Sequence, residues 1–239
     1  MILGIIQARM GSTRLPGKVM MEILNKPFLW HIYQRLKTCK NLENICIATS
    51  TDTSNDILED FATYEKIPLF RGSESRLVDR LLGAAKKFNA TAIVRITADC
   101  PLVDPILVDQ LISVFNKHSS IDFVSNTLER TFPDGLDVEI ISVNFLERLS
   151  KILLTDNQQE YFTDYIIKNS IKFNCKNIKN EINLANYRLT LDYDEDLKLI
   201  SKIYDDLSCK SKIFTTNDIL LLLKQNPNLL NINKMHVKY

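Results

Sequence analysis

The amino-acid sequence predicts an α/β protein built on a doubly wound, mostly parallel sheet. Three observations carry that expectation. Short apolar runs recur at residues 2–6, 45–48, 67–70 and 92–96, with amphipathic helical patterns between them. A loop rich in glycine and cations follows the first run directly. The length, 239 residues, suits one α/β domain with at most a small appendage. Strands that alternate with helices imply right-handed crossovers, and sheets of this kind bind ligands beyond the carboxyl ends of their strands.

The elements follow in order. After the first strand and its loop, Phe28, Leu29, Ile32 and Leu36 recur at helical spacing, and 45–48 is the next strand. Residues 51–55 offer capping side chains ahead of Ile57, Leu58, Phe61 and Ala62, which share one helical face and lead to a strand at 67–70. A helix is expected around 77–88, a strand at 92–96, and a helix at 106–115 with Pro105 in its first turn. Between about 122 and 186 the pattern changes. Pro133, Asp134 and Gly135 read as a turn between extended segments at 123–125 and 138–141, and a stretch rich in lysine and asparagine at 175–183 reads as loop or sheet edge. This section is a sheet extension, a substrate lid or a dimer arm. Regular structure resumes with a strand at 187–191 and helices near 194–207 and 216–225. Without a repeat or a linker, residues 1–239 read as one domain.

The loop QARMGSTRLPGK, residues 7–18, reads as a phosphate cradle. Arg9, Arg14 and Lys18 place three cations within ten residues, while Gly11 and Gly17 let the backbone turn and bring its N–H groups, with that of Ser12, near an anion. It is not a Walker A loop, because five residues separate Gly11 from Gly17 and Val19 follows Lys18. Nor does GxGxxG follow the first strand. A solvated basic connection between strand and helix is the plain alternative.

Composition excludes several classes. A formal net charge of +1 with 25% charged residues gives no electrostatic case for a nucleic acid or an anionic membrane. No apolar run approaches the roughly 18 residues that span a bilayer, and no leader precedes the first strand, so a cytoplasmic protein is expected. The five cysteines form no CxxC pair and the three histidines no HExxH, which disfavours disulfides and a zinc site.

Two carboxylates stand at strand ends. Asp99 follows IVRIT, and Asp192 follows YRLTL and opens an acidic run with Asp194, Glu195 and Asp196. One or two carboxylates together with phosphate oxygens suit Mg²⁺. Asp194 and Glu195 are also explained as first-turn acids of a helix, Asp104 as a cap, and Asp99 and Asp192 as ordinary turn residues. A cationic glycine loop with two strand-end acids describes a site for a nucleoside triphosphate and Mg²⁺, and points to nucleotidyl transfer.

The run IIQARMGSTRLPGKVM, with FRGSE, RITADCPLVDP, SNTLERTFPDGLDVE and RLTLDYDEDL, resembles the cytidylyltransferase-like family typified by spore-coat polysaccharide biosynthesis proteins. That family is related to the acylneuraminate and 3-deoxy-manno-octulosonate cytidylyltransferases. The resemblance covers residues 2 to about 207. It implies a Rossmann-like sheet with a small β-rich extension or dimer arm, bound CTP and Mg²⁺, and transfer of CMP to a nonulosonate- or octulosonate-like sugar acid. It carries the triphosphate contacts onto Arg9, Arg14 and Lys18, the metal aspartates onto Asp99 and Asp192, and base and ribose contacts onto Ala8, Arg71, Ser75 and Thr97. Where relatives have an arginine, glutamate, histidine run on the acceptor side, this chain has Gln159, Glu160 and Tyr161. The family's habit of forming homodimers places an acceptor and dimerisation segment at about 126–186. A glycosyltransferase using a nucleotide sugar, and a nucleotide-binding regulator without turnover, are the alternative readings.

Overall fold

Strand β1 (Ile2–Gln7) is the axis of the computed structural model, which describes residues 1–209, 211 and 213–238. Its side chains alternate between two cores, Ile2 and Ile6 on one face and Leu3 and Ile5 on the other. A two-stranded ribbon, β2 (Glu22–Ile23) and β3 (Lys26–Pro27), leads to α1 (Phe28–Leu36). Then come β4 (Asn44–Ser50), α2 (Asp56–Tyr64), β5 (Leu69–Gly72), α3 (Leu77–Lys87), β6 (Ala92–Thr97) and α4 (Pro105–Asn116). The apolar run at 67–70 enters the sheet two residues late, since Pro68 has no N–H to give and contributes only its carbonyl, to Ile47 N at 2.8 Å. Asp104 caps α4 through Ile106 N at 2.9 Å, as its place before Pro105 suggested.

The main sheet runs β5-β4-β1-β6-β8-β7-β9, with β7 (Phe123–Ser125), β8 (Glu139–Ser142) and β9 (Cys175–Asn177). β5, β4, β1 and β6 are mutually parallel, and β8 is antiparallel to both β6 and β7. Strand order reverses between β1 and β6, which makes the space beyond their carboxyl ends the crevice of the sheet. α1, α4, α8 (Asp194–Ser208) and α9 (Thr216–Gln225) cover one face. α3, α5 (Val143–Ile152) and α7 (Phe162–Lys168) cover the other. No described helix is long and apolar enough to cross a membrane.

Two expectations need correction. The segment 126–186 is more regular than its composition suggested: it holds β8, α5, α6 (Asp156–Glu160), α7 and β9. Its apolar residues Phe145, Leu146, Leu149, Phe162 and Ile166 are spent on the second core, so the helical period there is short and broken by turns. The expected strand at 187–191 is not a sheet strand. It makes one isolated bridge, Arg188 with Asp134, through Asp134 N to Tyr187 O at 2.9 Å and Leu189 N to Asp134 O at 2.6 Å, and beyond it Leu191 N donates to Asp99 O at 2.8 Å. The segment crosses the top of the sheet, and residues 188–192 are buried throughout.

Gly135 makes that crossing possible. Its φ is +101°, and a Cβ placed there would lie 2.3 Å from Thr190 N and 2.4 Å from the Leu189 carbonyl carbon. Gly135→Ala therefore combines backbone strain with a backbone clash, and we expect a loss of about 2–4 kcal/mol in urea unfolding. An unchanged midpoint would mean that 188–192 is not seated on this turn.

Candidate active site

The loop after β1 folds back on itself around Met10, whose carbonyl accepts from Ser12 N at 2.9 Å and Gly17 N at 3.3 Å. Gly17 is left-handed, at φ 71°, and starts a 3-10 turn over Lys18–Met20. Gly11 is not left-handed, and a side chain there would meet open space, so only Gly17 is required by the backbone. Leu15 and Val19 are buried in the core below and anchor the loop.

This anchoring drives Lys18 inward. The residue is 8% exposed, and Nζ donates to Asp192 Oδ1 at 2.8 Å, Leu191 O at 2.8 Å and Asp99 Oδ2 at 3.2 Å. Arg14 Nη2 donates to the same Asp192 Oδ1 at 2.8 Å. The other oxygen, Asp192 Oδ2, faces Arg188 Nη2 at 3.3 Å. Arg188 in turn forks onto Asp196 at 2.9 and 2.7 Å. Asp196 is fully buried and also accepts from Asp192 N, Tyr193 N and Asn233 Nδ2. Of the acids that open α8, Asp194 and Glu195 are the expected first-turn residues, whereas Asp196 is the buried buttress that fixes Asp192.

A cleft of about 530 Å³ opens over these residues, lined by Arg9, Gly11, Ser12, Arg14, Lys18, Thr97 and Asp99 among others. It lies at the reversal of strand order. Sequence reasoning identified these seven. It missed Arg95, a lone cation in the apolar run IVRIT, which reaches Gln7 Oε1 at 2.7 Å and Glu139 Oε2 at 2.6 Å. Glu160, named with the acceptor-side run, lines the cleft as well, and its Oε1 lies 2.9 Å from Arg9 Nη2. Asp192 sits behind the lining, under Lys18 and Arg14. Ala8 is core-facing and buried. Ser75 is exposed on the loop after β5, outside the cleft lining. Arg71 is outside it as well: its guanidinium is tied to Asp56 at 2.7 Å, Glu59 at 2.6 Å and the Ser50 and Asp52 carbonyls. It braces α2 against β5 in this structure.

Among the described residues no group of three or more His, Cys, Asp or Glu side chains converges on a metal position. Asp99 and Asp192 do approach one point, Lys18 Nζ, and supply the hard oxygen donors that Mg²⁺ takes alongside phosphate oxygens. Asp99 Oδ1 takes a weak contact from the Cys100 thiol at 3.7 Å. The donor chemistry therefore fits a divalent ion, with Asp99 ready and Asp192 occupied by cations.

Burial works to raise the Asp99 carboxyl. The Lys18 ammonium, with hydrogen bonds from Thr97 and Lys18, outweighs it and holds the group below its ordinary value. A depressed folded-state pKa gives stability that is present above the unfolded value and lost as pH falls through the folded one. In Lys18→Met the burial effect loses its main opponent, with the hydrogen bond from Thr97 remaining. We expect Asp99 to titrate higher in carboxyl NMR and acid unfolding to begin at higher pH than in wild type. An Asp99 titration that stays put would show that Lys18 is not the controlling charge.

A family model described as cytidylyltransferase matches residues 3–226. The spore coat polysaccharide biosynthesis protein SpsF of Bacillus subtilis (strain 168) is 33% identical over 235 residues, 95% of each chain. A solved cytidylyltransferase from Leptospira borgpetersenii serovar Hardjo-bovis (strain JB197) superposes with a TM-score of 0.92 at 34% identity, covering 100% of this chain and 98% of that one. A CMP:2-keto-3-deoxy-manno-octonic acid synthetase solved with CTP shares the fold, with a TM-score of 0.66 at 16% identity over 86% of this chain and 98% of its own.

Proposed function

The chain belongs to the cytidylyltransferase family of CTP-dependent nucleotidyltransferases, and we propose that it transfers CMP from CTP to a sugar acid, with release of pyrophosphate, for surface polysaccharide or glycan synthesis. The observation that carries this reading is the buried contact of Lys18 with Asp99 and Asp192 beneath a cationic loop. The synthetase solved with CTP and the spore-coat relative support the choice of nucleotide and pathway class. We further propose that the protein works in the cytoplasm as a homodimer through 126–186, a segment that exposes Leu154, Ile171 and Ile182.

In this reading the triphosphate lies along Arg9, Arg14 and Lys18, with the Gly11 and Ser12 backbone turned toward it. Four cations face two carboxylates in the cleft lining, a balance that favours a polyanion. Arg14 and Lys18 exchange their carboxylate partners for phosphate oxygens and offset the charge that grows on the departing pyrophosphate. Asp99 and Asp192 would hold Mg²⁺, which supplies Lewis-acid neutralisation at the reacting phosphate when bound. Ala8, Thr97, Ser75 and Arg71 are the proposed base and ribose contacts. Ser75 would reach a nucleotide only if the loop after β5 moves inward, and Arg71, within β5, only by releasing Asp56 and Glu59.

Thermal unfolding with CTP, UTP, GTP and ATP in Mg²⁺ tests the nucleotide half. Ligand at 100 times its dissociation constant adds about 2.7 kcal/mol, and at 2–4 °C per kcal/mol the shift is roughly 5–10 °C. We expect it with CTP alone, and a comparable shift with every triphosphate would contradict the reading. Lys18→Ala and Asp192→Asn should each lower turnover by about 10², the scale of one preorganised electrostatic contact. Pyrophosphate as the released product separates this chemistry from glycosyl transfer, which releases a nucleoside diphosphate.

A further inference from the structure

A second cavity, of about 680 Å³, adjoins the cleft, and the two share Arg95, Thr97, Glu160 and Tyr161 in their walls. Arg95 is the only cation among the four. It stands on β6, and its side chain is 12% exposed. The guanidinium is fixed from several sides. Nε donates to Gln7 Oε1 at 2.7 Å, while Nη1 donates to Glu139 Oε2 at 2.6 Å and to the Thr163 hydroxyl at 3.2 Å. Cζ sits over the buried Phe162 ring, 5.0 Å from its centroid. Nη2 is different. It donates to no described residue, yet it is not among the buried polar atoms that lack a partner, so its two N–H groups are open at the shared wall.

The second cavity itself is acidic. Asp137, Glu139, Glu160 and Asp164 line it against two guanidinium groups, those of Arg95 and Arg130. Arg130 is committed to Asp137, with Nη1 and Nη2 donating to its two oxygens at 2.6 and 2.7 Å. The run of Gln159, Glu160 and Tyr161 adds no cation, and the fully buried Gln159 amide is taken up by Asp79 and Leu153. An anionic guest therefore meets repulsion in the body of this cavity and attraction at the end that opens on the cationic cleft. Arg95 marks that end.

We propose that Arg95 determines acceptor specificity, its Nη2 holding the acceptor carboxylate at the junction of the two cavities. The proposal rests on the cytidylyl-transfer reading, with the nucleotide in the cleft and the acceptor in the second cavity. In the ring form of a 2-keto sugar acid, one carbon carries both the carboxylate and the hydroxyl that accepts CMP. A grip on that carboxylate at the junction sets the hydroxyl toward the α-phosphorus. The uncharged hydroxyl groups of the sugar then fill the far side, beside Thr127, Asn183 and Asp164. A uronic acid carries its carboxylate on a different carbon from its anomeric hydroxyl, and the same grip does not aim that hydroxyl. Arg95 thus selects the class of acid as well as binding it. A planar guanidinium already braced by Gln7, Glu139 and Phe162 loses little freedom in doing so. Glu139 keeps the Thr163 hydroxyl, at 3.0 Å, while it shares the guanidinium.

The test uses the full chain with CTP, Mg²⁺ and three acceptor probes: 3-deoxy-manno-octulosonate, its C1 carboxamide and glucuronate. Pyrophosphate release and CTP binding in calorimetry are the readouts. Wild-type release establishes the reading beneath the proposal, and CTP binding without release from these or a wider panel of sugar acids would overturn that reading and the assignment resting on it. Given release, wild-type kcat/KM should favour the octulosonate over its carboxamide by roughly 10–10²-fold, the span of a hydrogen bond to a charged group. Glucuronate should be the poorest of the three. Arg95→Lys keeps a charge for Glu139 and removes Nη2. It should raise the acceptor KM about tenfold, leave CTP affinity within about threefold of wild type, and bring acid and carboxamide within about threefold of each other. A structural loss alone would slow both acceptors alike and leave their ratio unchanged. An acid preference that is absent from wild type, that survives Arg95→Lys, or that is lost in Arg130→Gln instead, would overturn the assignment. So would turnover of glucuronate equal to that of the octulosonate, or a loss of CTP affinity of about tenfold in Arg95→Lys, which would place Nη2 on the nucleotide.

Discussion

The structure depends on how one ammonium is held under the loop after β1. Lys18 is buried, and a buried charge survives only with close partners. Its three acceptors come from the end of β6 and from the crossing segment 188–192, so one side chain ties the two strand-end acids to the loop. Removing it would leave Asp99 without its cation and Asp192 with two cations in place of three. Everything behind it exists to make that arrangement tolerable: Arg188 and Asp196 neutralise one another, Asn233 and two backbone N–H groups complete Asp196, and Gly135 makes room for the segment that carries Asp192.

Under the proposed function, that arrangement also explains how a site can be ready for a polyanion before one is present. The loop cations are already oriented by carboxylates, so their side-chain entropy is largely spent on folding, and a phosphate meets fixed donors. The exchange of partners is balanced by charge. Each cation that turns to phosphate frees a carboxylate oxygen, and a divalent ion arriving with the nucleotide is the natural partner for the oxygens released.

The parallel half of the fold was legible because its strands are buried on both faces and separated by helices with clear periodicity, as at 2–6, 45–48 and 92–96. The cleft was half legible. Arg9, Arg14 and Lys18 announce themselves as cations among glycines, and Asp99 as an acid ending an apolar strand. Asp196 did not, because a first-turn acid and a buried buttress look alike in sequence and only Arg188 and Asn233 distinguish them. Residues 187–191 misled for a related reason. A short run with buried leucines reports burial, and residues 188–192 are buried without entering the sheet. Arg71 stood at a strand end, but its acids are on α2, and nothing in the spacing of Asp56 and Glu59 ties them to Arg71.

The place of Asn233 bears on how the protein is made. Its side chain bonds both the Arg188 carbonyl, at 3.0 Å, and Asp196, so the cluster under the cleft takes its last ligand from a turn near residue 233. On the ribosome the β1, β4 and β6 strands, with the helices between them, can collapse once about half the chain has emerged, because their contacts are comparatively local. The charged cluster cannot. Lys18 must wait for partners more than 170 residues away along the chain. A chain that stops short of residue 233 would hold a formed sheet with the last contact of that cluster missing.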